Sequence, residues 1–290
     1  MELKQLKTQK KWGMGRVMIN MVGGGFQHDV CSVAYSVPKI VEWDKIHHLS
    51  EISIYIDYGI SNIAVNKNKF NYAWLAESKT INSNLYGWCL NNVEYLEDNF
   101  KYIFTHDLSM IPLSNIFKLI LAGLTPWIKD VQIHKKTKLV SMITSNKKTC
   151  EEHIYRNEIA NKFRNSCDLF GRGYNEIERK EIGLNDYCFS IVMENGRYPY
   201  MFTEKLSDCF ATGTIPVYYG CDEIGEFFDE KGIIKLIDDF DINELNFDLY
   251  HSKMQHIKNN FNKLKELQVI PEDQIYEKYI KEDVYDKTQI

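Results

Sequence analysis

The sequence predicts an α/β protein, and three observations carry that prediction. Short runs rich in β-branched and aromatic residues alternate along the chain with polar, helix-like segments. Most apolar runs end in glycine or small polar residues, the punctuation of strand-end loops. The 290 residues, 44% hydrophobic and 26% charged, suffice for one large or two medium domains around a sizeable core.

In chain order, RVMINMV is a strand that runs into Gly23-Gly24-Gly25. Three glycines there permit a close backbone approach to a ligand, or a tight turn before a helix in FQHDVCSVAYSV. Their spacing matches neither a P-loop nor a dinucleotide fingerprint. ISIYIDYGI alternates as a strand, FNYAWLAESKTI leads an apolar run directly to Glu77, and YIFTHDLSM is a further strand ending in a polar turn. The basic stretch KDVQIHKKTK marks a boundary, so the expected units are 1–134, 135–270 and a charged peripheral tail at 271–290. Beyond it KLVSMITS is a strand, and EEHIYRNEIANKF is a helix with two acids in the first turn, where the helix dipole favours them. CDLFGRG is a short strand with a glycine turn, and NDYCFSIVMEN is a strand rich in aromatic and β-branched residues.

Composition narrows the function classes. A formal charge of −5 argues against a broad nucleic-acid footprint. The N-terminal MELKQLKTQKKWGMGRVMIN is basic but lacks the apolar segment of a signal peptide, and no run of 18 apolar residues occurs, so no integral membrane segment is expected. The seven cysteines form no C-x-x-C pair and read as buried free thiols of a reducing compartment, which points to a cytoplasmic location. His47-His48 reads as surface, because adjacent strand residues point to opposite faces and no carboxylate has metal-ligand spacing.

Chemistry concentrates in ENGRYPYMFTEKLSDCFATGTIPVYYG, residues 194–220. Pro199 stops the preceding strand, Thr203 can cap a short helix over EKLSDCFA, Gly213 can end it, and TIPVYYG returns as a strand. Such a βαβ unit places the loop and helix N-terminus at the carboxyl edge of the sheet, where α/β folds bind ligands. The helix amides and Lys205 suit a phosphate or diphosphate. Glu204 repels phosphate; it either faces a sugar or is an ordinary dipole-matching glutamate in a capped helix. Ser145-Asn146-Lys147-Lys148 closes the KLVSMITS strand at the same predicted edge, and Arg156 on the next helix can grip phosphate oxygens bidentately.

With the strand-end Ser-Asn, the helical arginine, DLFG, the Y-x-F-x-x-x-x-EN strand, FTEKL and IPVYYG, the run from Lys138 to about Phe240 resembles the donor-binding domain of the α1,3-fucosyltransferase family, glycosyltransferase family ten. The resemblance implies a GT-B architecture, two Rossmann-like domains facing each other across a cleft. It also implies inverting, metal-independent transfer of a sugar, fucose by analogy, from a GDP-sugar to a glycan hydroxyl, with no cofactor beyond that donor. Asn195, Glu204, Lys205 and Arg156 fall on donor-binding positions, Thr203 on the capping threonine, and Ser145 and Asn146 on the motif pair. Glu204 would face the sugar and Glu77, in Ala76-Glu77-Ser78, would be the general base. Met201 stands where the family carries a tyrosine, with Tyr200 one residue early. A non-catalytic nucleotide- or carbohydrate-binding module of the same fold is the alternative. Asp239-Phe240-Asp241 is a D-x-D triplet that metal-dependent transferases use, and here it reads as a strand end and helix cap.

Overall fold

The computed structural model describes residues 15–24, 26, 28 and 30–285. Most of the basic N-terminal stretch, Gly25 and the last five residues of the tail lie outside the described residues.

Two parallel sheets organise the chain. The first contains β1 (Val17–Gly23), β2 (Val41–Asp44), β3 (Ile52–Ile56), β4 (Phe70–Leu75), β5 (Tyr102–Thr105) and β6 (Phe117–Leu119), in the order β2-β1-β3-β4-β5-β6. The second contains β7 (Lys138–Ile143), β8 (Asp168–Phe170), β9 (Tyr187–Met193), β10 (Ile215–Tyr219) and β11 (Ile234–Lys235), in the order β11-β10-β9-β7-β8. Every pairing is parallel. In each sheet the chain steps from the first strand outward to the second, then returns past the first to the third. Topological switch points therefore fall between β1 and β3 and between β7 and β9. This is the doubly wound, GT-B type of α/β architecture.

The central strands lack polar alternation because both faces are covered: every residue of β3 and of β9 is buried. Val140, Phe189, Ile191 and Val217 pack on one face of the second sheet; Val192 and Tyr218 meet Leu206 and Phe210 of the helix Glu204–Thr212 on the other. Lys136 is spent on structure here. Its Nζ donates to the Leu184, Asn185 and Thr212 carbonyls and to Thr214 Oγ1, which ties down the carboxyl end of that helix.

Two expectations are corrected. The described residues between β1 and β2 form bends and turns, not a helix. Tyr35 takes a left-handed φ of 57°, and the amides of Ser32, Lys39 and Ile40 donate to Glu272 and Asp273 instead of to helical carbonyls. Gly23 still serves a close approach, but to backbone: with φ of 101°, a Cβ on it would lie 2.5 Å from Gly59 Cα. The tail is not peripheral either. Ile275, Tyr276 and Ile280 are buried against Ile19, Met21, Tyr72 and Phe104 of the first sheet, and Tyr72 Oη donates to Asp283. Its acids bind backbone amides and hydroxyls of the first half, so charge density in the sequence disguised an amphipathic strap.

Candidate active site

One cavity of about 730 Å³ opens between the halves, lined from both. From the first sheet's loops come Asp57, Glu77 and Asn82; from the second come Ser145, Lys147, His153, Arg156, Lys180, Asn195, Thr203, Glu204, Lys205 and Asp208. The lining meets the expected position for a ligand, outside the carboxyl ends of the strands at a switch point.

Thr203 is the N-cap of the helix Glu204–Thr212, and Gly213 ends it with φ of 72°. The Thr203 hydroxyl accepts from the Lys205 amide and donates to Glu194 Oε2 at 2.8 Å, while the Thr203 amide donates to Glu194 Oε1 at 2.8 Å. Lys205 Nζ lies 2.9 Å from Thr203 Oγ1 and 3.4 Å from Glu194. Glu194 is buried at the end of β9 and holds cap and lysine together. The sequence reading passed over it in favour of Asn195, although the two are adjacent in the same motif.

Arg156 is buried, and its Nη1 donates to Asn195 Oδ1 at 3.1 Å. Its Nε is buried with no hydrogen-bond partner among the described residues. A guanidinium with a donor to spare beside Lys205 suits an anion with several oxygens. His153, one turn earlier on the same helix, is also buried and lines the cavity. Burial, then the Arg156 charge, hold its ring below the ordinary histidine range, so it is neutral. Its signal was the spacing of three from Arg156, which puts both on one helix face.

Glu204 does not stand alone. Lys180, from the single turn Lys180–Gly183, lies 2.9 Å from Glu204 and 2.7 Å from Asp208, with its ammonium 5.0 Å over the Trp127 ring. Burial alone would raise the Glu204 carboxyl, but Lys180 and then Lys205 outweigh it, so Glu204 stays ionised. Asp208 is pushed the other way by burial, with Lys180 opposing. Lys180 and Asp208 stand 28 residues apart, and no local motif announces that the fold pairs them.

On the facing side Glu77 is exposed, and its Oε1 accepts from the Ser78 amide at 2.8 Å. Asp57 lies beneath it at the end of β3, with a left-handed φ of 47°. Asp57 Oδ1 accepts from the amides of Ala76 and Glu77 at 3.0 and 3.2 Å. Burial pushes this carboxyl up to about 6 against those two donors.

The structure thus brings Glu77, Ser145, Arg156, Asn195, Thr203, Glu204 and Lys205 to one cavity. Asn146 is not among the lining residues: its side chain is exposed and packs where a Cβ on Gly173 would collide with it. Met201 is buried, and Tyr200 turns away to Phe227 and Glu226, so neither side chain lines the cavity. Asp239 and Asp241 are exposed, and Asp241 caps the short turn Ile242–Glu244.

A family model described as glycosyltransferase family 10 (fucosyltransferase) C-term matches residues 133–285. No curated protein sequence matches the chain. Among solved structures, an α1,3-fucosyltransferase is 13% identical with a TM-score of 0.49, and 91% of this chain covers 85% of that one. An α1,3-fucosyltransferase structure with GDP is 14% identical with a TM-score of 0.45, over 91% and 84% of the two chains. One with GDP-fucose is 13% identical with a TM-score of 0.44, over 91% and 85%.

Proposed function

This chain belongs to glycosyltransferase family 10, and from that premise we propose that it transfers fucose from GDP-fucose to a glycan hydroxyl with inversion at the anomeric carbon. The observation that carries the proposal is the single cavity lined at once by Glu77 and by Arg156, Asn195 and Lys205. A carboxylate on one wall faces cations on the other, the arrangement in which an in-line displacement places base and leaving group on opposite sides of the reacting carbon.

In this reading the diphosphate lies on Lys205, the Arg156 guanidinium and the amide end of the helix Glu204–Thr212. The sugar reaches toward Glu204, whose ionised carboxylate accepts from hydroxyls and stabilises positive charge developing at the anomeric carbon. Glu77 takes the proton of the acceptor hydroxyl. That oxygen attacks the anomeric carbon from the face opposite the diphosphate; the bond to the leaving phosphate oxygen breaks, and GDP departs with its charge held by the clamp. The leaving charge is met here by protein cations, so we propose that the transfer needs no added metal.

The test is GDP release from GDP-fucose with a panel of saccharide acceptors, in EDTA, beside calorimetry with GDP. Glu77→Gln is expected to lower turnover by roughly 10²–10⁴-fold with GDP affinity unchanged. Equal turnover removes Glu77 from the mechanism; GDP binding without turnover of any nucleotide sugar favours a binding module instead.

A further inference from the structure

The cavity depends on two loops from different halves keeping a fixed distance, and one side chain joins them. Tyr198, three residues after Asn195, crosses from the second half to the first. Its Oη accepts from the Lys79 amide at 3.3 Å and lies 3.1 Å from His106 Nε2. The Lys79 ammonium sits 4.2 Å over the Tyr198 ring and 3.0 Å from Asp107, which is buried. The His106 ring stacks on the tyrosine at 6.1 Å, with 21° between the planes. Burial lowers His106 to about 4, with Asp107 opposing and Lys79 adding, so a neutral ring faces the hydroxyl. Beside this contact the backbone at Gly196 is pressed so close that a Cβ would lie 2.6 Å from Thr80 Oγ1.

Lys79 is two residues from Glu77, and Gly196 follows Asn195 directly. We propose that Tyr198 is a positioning residue that locks the Glu77 loop to the donor-clamp loop through Lys79 and His106, and thereby sets the reach between base and donor. The claim rests on the transfer reading above. Tyr198 is not among the residues lining the cavity, and its contacts run to Lys79 and His106 beside the Glu77 loop. The ring–ammonium contact, the hydroxyl's partners and the Gly196–Thr80 approach all lie on one short seam, which a purely space-filling tyrosine would not need.

Two measurements on the full chain test it. Hydrogen exchange of residues 76–82 should speed up in Tyr198→Phe, whose ring is kept while the hydroxyl bonds are lost; unchanged exchange overturns the lock. In the GDP-fucose assay, Tyr198→Phe should lower turnover about tenfold, with GDP affinity within about twofold. The same substitution in a Glu77→Gln background should then cost less than about twofold, because the residue it positions is gone. Losses that multiply, or a GDP affinity that falls in step with the rate, overturn the positioning role. His106→Gln should repeat the pattern with the tyrosine intact; wild-type turnover in that variant counts against the lock. A wild-type chain that turns over no nucleotide sugar overturns the transfer reading and the catalytic part of this one, and the exchange data still decide whether the seam is a lock.

Discussion

The two halves repeat one strand order and use their switch points for opposite electrostatics. At the β7/β9 switch point cations predominate: Arg156 and Lys205 face the cavity, and the acids among them, Glu194, Glu204 and Asp208, are each held by a lysine. At the β1/β3 switch point carboxylates predominate, with Asp57 and Glu77 on the cavity wall. The same backbone geometry therefore carries a cluster of cations on one side and a pair of carboxylates on the other. What differs is which charges the neighbouring loops deliver.

That contrast can be broken most severely at Lys180. Removing it in Lys180→Met takes away the direct ion-pair partner of both Glu204 and Asp208, leaving only Lys205 nearby and the Trp127 amide, and the expected loss of unfolding free energy is about 3 kcal/mol by denaturant titration. The loss is modest for a buried ion pair because 27% of the lysine side chain is exposed. Adding Asp208→Asn should recover part of the loss; no recovery would mean that the lysine packs on Trp127 more than it neutralises charge.

The first half has the opposite sign. A folded Asp57 keeps its proton up to about pH 6, whereas the unfolded chain releases it near pH 4. Its contribution is thus fully present below about pH 4 and is lost as pH rises through 6. Asp57→Asn keeps an acceptor for the Ala76 and Glu77 amides but has no proton to lose. It should match wild type at about pH 3.5 and exceed it by about 1–2 kcal/mol at pH 8, after allowance for water in the cavity. Equal stability at both pH values would show that the two amides fully offset burial.

The smallest effect separates motif from position. Asn146→Ala is expected to change stability by less than about 0.5 kcal/mol and GDP affinity not at all, since the side chain is exposed and outside the lining. A fall in GDP affinity by calorimetry would put Asn146 back in the donor pocket and narrow the difference between the two halves.

Much of this was legible along the chain, because the physics there is local. Thr203 as cap, Gly213 as terminator and the apolar runs of β3, β7, β9 and β10 follow from hydroxyl geometry, φ freedom and branched side chains within a few residues. The order of the motif from Ser145 to Gly220 was likewise readable as strands and a helix that bring Arg156 and Lys205 to one sheet edge. What could not be read is everything that needs two distant segments in contact. Glu194 looked like a strand-end acid until it received the Thr203 amide and the Lys205 charge; nothing near Lys180 in the chain announces that the fold sets it against Glu204. Asp57 sits inside the ISIYIDYGI run that reads as a strand, and only burial in the fold raises its affinity for a proton; the acidic tail looked peripheral until Ile275 and Ile280 met the first sheet. The sequence by itself determined the elements and which residues stand at the carboxyl edge of the second sheet, since capping, turn and pleat are fixed by neighbours in the chain. Tertiary structure alone decided which charges are paired and which remain available, since burial and Coulomb interactions depend on distance in space, not on separation in sequence.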